Sequence, residues 1–173
     1  MSLIYHYTVG KWAADIIRDG EIRRARDGIA QGERPAVWFT KSRTWEPTAN
    51  KDWLDAGGAR HTLTTDETER AGGGLFRFAV SPAAAPHNFR AWRRLSGCPS
   101  RIARTLERVA RRAGTNPVLW RVSFEPVPAS AWLSIERRTG GSWVAVSGLL
   151  VVNNAAGVEF TVPAVAEGVI IHA

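Results

Sequence analysis

Ile4-Tyr5-His6-Tyr7-Thr8-Val9-Gly10-Lys11-Trp12-Ala13-Ala14-Asp15-Ile16-Ile17-Arg18-Asp19-Gly20 carries two hydrophobic periods in succession. Residues 4–7 form a short apolar run, which predicts a strand. Trp12, Ile16 and Ile17 then recur at helical spacing, Thr8 is placed to cap that helix, and Gly20 stops it.

Working outward, residues 21–25 read as a short strand or turn, and the polar, Gly-containing stretch 27–34 as a surface loop. Pro35-Ala36-Val37-Trp38-Phe39-Thr40 predicts a buried strand. Residues 41–62 show no strong period, with Trp45 and Trp53 set among polar side chains. Thr64 and Glu67 match a capping box for a short helix that Gly72-Gly73-Gly74 ends. Residues 75–80 read as a strand with Phe76, Phe78 and Val80 on one face. The clearest helix covers 101–113, with Ile102, Leu106, Val109 and Ala113 as its apolar stripe and five arginines crowding the rest. Residues 118–124 alternate, putting Val118, Trp120, Val122 and Phe124 on one side. Further strands are predicted over 143–152, 158–162 and 169–171. The simplest architecture is one α+β domain over residues 1–173, dominated by antiparallel strands.

Composition bounds the classes open to it. An apolar share of 45% and eight tryptophans are enough to build a core, which argues against disorder. No stretch approaches the roughly 18 apolar residues of a membrane span, and Met1 to His6 does not read as a secretory signal. Cys98 is the single cysteine, so an internal disulfide is excluded and a reducing, cytoplasmic setting is expected. The net charge of +7 favours phosphate-bearing or acidic partners. The arginine face of residues 101–112 reads first as a solvated surface, because no aromatic side chains interleave it.

Several chemistries lack their motifs. There is no phosphate-binding loop and no dinucleotide fingerprint, since Gly72-Gly73-Gly74 precedes a strand rather than a helix. One cysteine and four scattered histidines give no zinc spacing. No Gly-x-Ser-x-Gly elbow is present.

Three segments carry a resemblance. Tyr5-His6-Tyr7-Thr8 followed by Ile16-Ile17-Arg18-Asp19-Gly20-Glu21-Ile22, then Ala36-Val37-Trp38-Phe39-Thr40, then Val158-Glu159-Phe160-Thr161-Val162-Pro163, occur in that order. Together they resemble ADP-ribosyltransferases of the histidine class, including the DarT-like bacterial toxins. The resemblance implies strands split into two packed sheets with peripheral helices. It implies NAD+ as substrate, no metal, and transfer of ADP-ribose to a protein or nucleic-acid acceptor in a toxin or effector setting.

It also implies roles. Glu159 would hydrogen-bond the ribose hydroxyl and stabilise an oxocarbenium-like state, as carboxylates do in glycoside hydrolysis. His6 would hold the dinucleotide in register with support from Thr8, and the Tyr7 backbone would take the nicotinamide amide. Trp38 stands where the family has Tyr and would stack on the nicotinamide without donating the phenolic hydrogen bond. Phe39 and Thr40 complete that strand, and Trp45 is a second aromatic suited either to stacking or to the core. Two alternatives use the same scaffold: an RNA 2′-phosphotransferase, less favoured because Tyr7 rather than His follows His6, and a binding module without catalysis.

Overall fold

The computed structural model of the protein describes residues 2–146. The elements follow in order: β1 (Ile4–Val9), α1 (Gly10–Asp19), β2 (Glu21–Ile22), β3 (Val37–Thr40), β4 (Asp52–Leu54), β5 (Arg60–Thr62), α2 (Thr65–Gly72) and β6 (Leu75–Val80). Then come β7 (His87–Asn88), α3 (Phe89–Leu95), α4 (Ser100–Arg112), β8 (Trp120–Ser123), β9 (Val127–Pro128), β10 (Trp132–Thr139) and β11 (Ser142–Ala145). The α+β class is as expected. Instead of two packed sheets, the described residues form one seven-stranded antiparallel sheet, β11-β10-β6-β1-β3-β8-β7, with two short ribbons, β2-β9 and β4-β5. The expected strands beyond residue 146, and Glu159 with them, lie outside the described residues.

β1 is the middle strand, and its two neighbours hold it very differently. Against β6 it is paired along its whole length, from Ile4 opposite Val80 to Val9 opposite Leu75. Against β3 it shares one register pair, Tyr5 opposite Thr40. That long ladder also overrides the expected cap. Thr8 stays in the strand with its side chain buried, Val9 takes the N-cap position, and the Gly10 amide is satisfied by the Gly74 carbonyl at 2.9 Å. A side-chain cap is not needed where another strand end supplies the acceptor. Gly10 is required there: a Cβ would meet the Gly73 carbonyl oxygen at 2.4 Å.

Strand alternation sorts the core onto two faces. One face carries Ile4, Phe78, Val80, Val37, Phe39 and Ile135, covered by Ala13 and Ile17 of α1 and by the β2-β9 ribbon. The other carries Trp120, Val122 and Phe124 under Phe89 and Trp92 of α3 and Ala103 and Ala110 of α4, with Tyr5, Tyr7 and Ala79 nearer the middle. Because β6 is buried on both faces, its residues outside the predicted Phe76-Phe78-Val80 face are buried as well, Arg77 among them.

The α4 stripe differs from the predicted one. Ala103 and Ala110 are fully buried and Leu106 is half-buried, whereas Ile102 and Val109 are 38% and 51% exposed. Small residues let the helix approach the aromatic cluster closely, and the larger aliphatics fall at its flanks. Val118 is 70% exposed rather than in the core, because Pro117 starts a single 3-10 turn and β8 begins only at Trp120. Three elements had no clear sequence signal. The β4-β5 hairpin is polar, α3 is short, and β10 has an irregularity between Trp132 and Ser134 that breaks its alternation.

Candidate active site

Beyond Tyr5 and Thr40, β1 and β3 part, and the gap between them opens into two contiguous cavities. The first, of about 420 Å³, runs from β1 and β3 to α1 and the residues that follow it. The second, of about 360 Å³, extends towards α3, α4 and the loop after β3. His6, Tyr7, Ala25, Ala36, Trp38 and Lys51 line both. Each volume falls in the range of roughly 300–1,000 Å³ typical of small-molecule sites.

His6 is the hinge of this arrangement. Its Nδ1 lies 2.9 Å from the Trp38 carbonyl, so the side chain bridges the gap that the two backbones leave open. A carbonyl can only accept, so Nδ1 carries the proton. Burial lowers the pKa to about 4; the Trp38 hydrogen bond raises it and the nearby Lys51 ammonium lowers it. The imidazole is therefore neutral at pH 7, with Nε2 as a lone-pair acceptor that has no protein partner among the described residues. Phe39 and Phe78 flank the ring, at 5.8 and 6.5 Å between centroids.

The other residues singled out from the sequence divide into two groups. Thr8 lines the first cavity, while Phe39 and Thr40 line the second. The Thr40 hydroxyl accepts from the Ser42 amide at 3.1 Å, fixing the turn that leaves β3. Tyr7 and Trp38 line both cavities, but their side chains are held in the protein. The Tyr7 hydroxyl donates to the Ser42 carbonyl at 2.9 Å, and burial pushes its pKa up to about 12. The Trp38 ring, expected to stack on nicotinamide, packs edge-on to Trp92 and Trp120 at 4.8 and 5.6 Å. Alternation along β3 puts it on the face opposite Phe39, so Phe39 is the aromatic that accompanies His6. Trp45 lines neither cavity; it packs edge-on to Tyr7 at 5.4 Å and donates from Nε1 to Asn50 at 2.7 Å.

Two charged residues at the cavities were not visible in the sequence. Lys51 is half-buried where the cavities meet, and Glu46 is buried in the wall of the second. Trp120 Nε1 and the Thr48 hydroxyl donate to the Glu46 carboxylate at 3.3 and 3.0 Å. Both residues belong to the aperiodic stretch after β3, where no spacing pattern announces burial. Four arginines stand at the first cavity. Arg18 is paired with Asp15 and Asp19, and Arg23 with Asp19 and Glu21. Arg24 and Arg26 are exposed and have no ion pair among the described residues.

No group of histidine, cysteine or acidic side chains among the described residues could hold a metal ion, and no helix there is long and apolar enough to cross a membrane. Cys98 is buried in the wall of the second cavity, and burial with the neighbouring Glu33 charge pushes its thiol up to about 11. That disfavours a nucleophilic thiolate. Family models, curated proteins and solved structures give no match to this chain.

Proposed function

We propose that the protein is an NAD+-dependent mono-ADP-ribosyltransferase on an ADP-ribosyltransferase-like fold, acting on a macromolecular acceptor. The observation that carries this reading is His6: a neutral imidazole, fixed in one tautomer, whose acceptor nitrogen has no partner among the described residues and belongs to a cleft between two parted strands. A ribose hydroxyl is a natural donor to such a nitrogen. The two cavities suit the two halves of a dinucleotide, and the edges of β1 and β3 beyond their single register pair suit a carboxamide, which both donates and accepts.

In this reading the nicotinamide–ribose bond breaks with its electron pair leaving on the nicotinamide nitrogen, which neutralises the charge the ring carried. The sugar passes through a cationic state, the acceptor atom bonds to the anomeric carbon, and the acceptor's proton departs. Glu159 is the carboxylate assigned to the ribose hydroxyl and to that cation; preorganised charge of this kind is worth most in a water-poor site. His6 positions the ground-state dinucleotide.

Labelled NAD+ incubated with the protein and a cell lysate, followed by nuclease or protease digestion, tests the activity and sorts the acceptor. Folded Glu159→Gln should lose on the order of a hundredfold in turnover while keeping most of its NAD+ affinity. His6→Ala should mainly weaken NAD+ binding. Unchanged turnover in folded Glu159→Gln would end this reading. Arg24 and Arg26, exposed at the cleft and without ion pairs among the described residues, favour a second reading, NAD+-dependent removal of an internal RNA phosphate, distinguished by ADP-ribose phosphate rather than a labelled acceptor as product.

A further inference from the structure

Lys51 is placed unusually for a lysine. It follows a 3-10 turn over Pro47–Ala49 and immediately precedes β4, and its backbone amide is fixed by the Thr68 hydroxyl at 3.2 Å. Its side chain is half-buried, lines both cavities, and has neither a hydrogen bond nor an ion pair among the described residues. The nearest acidic neighbour in sequence, Asp52, is already engaged by Arg60 at 3.1 Å and by the Thr62 hydroxyl at 2.8 Å. Burial lowers the Lys51 pKa and the Asp52 charge raises it, so the ammonium is held at a cost in that environment.

Desolvating an ammonium whose acidic neighbour is already engaged is unfavourable, and an anion entering the cavity would offset that cost. Glu46 does not fill that role, because its carboxylate is taken up by Trp120 and Thr48. Arg24 and Arg26, also without carboxylate partners among the described residues, add positive charge at the first cavity. We infer that Lys51 is the recognition point for a nucleotide phosphate, seated at the junction of the two cavities beside His6. Lysine serves here as a point charge, which suits a tetrahedral phosphate that can turn about it. The inference rests on reading the cleft as a nucleotide site. A phosphate there comes from the pyrophosphate of a dinucleotide or from a nucleic-acid strand.

The test is calorimetric titration of the full chain and its Lys51→Gln variant with NAD+, ADP-ribose, inorganic pyrophosphate, nicotinamide riboside and a short single-stranded oligonucleotide. Lys51→Gln should weaken binding of the phosphate-bearing probes by about tenfold or more, and leave nicotinamide riboside, which has no phosphate, unchanged. Dependence on Lys51 for ADP-ribose identifies the dinucleotide as the source. If pyrophosphate and the oligonucleotide bind through Lys51 but ADP-ribose and NAD+ do not bind, the inference stands and the ADP-ribosyltransferase reading falls. Equal affinities in the two proteins, or no binding of any phosphate probe to the unaltered protein, overturn the inference. Amine acylation read by mass spectrometry needs no variant: pyrophosphate should protect Lys51 and leave the exposed Lys11 and Lys41 unchanged, and unprotected Lys51 counts against the site.

Discussion

His6 sits where burial and the Lys51 charge work against protonation and one backbone carbonyl works for it. Unfolded, an imidazole takes a proton near pH 6.5; in this fold it does so only at about 4. Between those values the unfolded chain binds more protons, so stability falls as pH drops through that window and is fully present above it. His6→Asn keeps a donor for the Trp38 carbonyl but cannot titrate. Urea midpoints at pH 4.5 and 7.0 should therefore differ less in the variant than in the unaltered protein, and an equal difference would contradict a neutral His6. The resemblance carried by Tyr5-His6-Tyr7-Thr8 points to the histidine. Its tautomer was not legible, since that depends on a carbonyl 32 positions away. Lys51 and Glu46 escaped notice for the same reason: the path of an aperiodic segment decides whether a charge is buried.

Elements whose ends are set by local chemistry were the easiest to read. The Thr64–Glu67 capping box is present, with the Glu67 carboxylate accepting from the Thr64 amide at 2.8 Å, and Gly73 closes α2 in the left-handed conformation. Elements set by tertiary contact were harder. The start of α1 is fixed by the approach of Gly10 to the Gly72–Gly74 segment rather than by Thr8. Gly10→Ala would press a methyl group into the Gly73 backbone and should destabilise the fold by about 1–3 kcal/mol, despite alanine's better helix propensity. Chemical denaturation checks this: a stability equal to or above that of the unaltered protein would show that the contact can relax. The α4 stripe was misread because hydrophobicity alone favours Ile102 and Val109, whereas close packing favours Ala103 and Ala110.

At the scale of the whole molecule, the most buried ion pair among the described residues joins two strands of the sheet. Arg77 on β6 donates from Nε to Glu136 on β10 at 2.7 Å, and lies over the rings of Tyr5 and Trp143 at 4.4 and 4.6 Å. It also donates to the Arg43 carbonyl, tying in the segment after β3. Glu136→Leu leaves that guanidinium buried without its counter-charge and should cost about 3–5 kcal/mol. Adding Arg77→Met should recover much of the loss, because two apolar groups replace a desolvated pair. Additive losses in the double variant would show that the pair contributes little beyond its separate contacts. The antiparallel α+β class was legible from alternating runs. The merging of those runs into one sheet was not, because β10 places a glutamate inward to meet an arginine and so hides its period.

The single register pair between β1 and β3 has a mechanical consequence. The sheet is two well-laced halves, β11-β10-β6-β1 and β3-β8-β7, joined by one rung at Tyr5 and Thr40. Across that seam the backbone ladder gives way to side chains: His6 reaches the Trp38 carbonyl, Tyr7 the Ser42 carbonyl, and Phe39 and Phe78 belong to one core cluster. The His6–Trp38 hydrogen bond stands where the next rungs would be, so one side chain and not the backbone spans the mouth of the cleft.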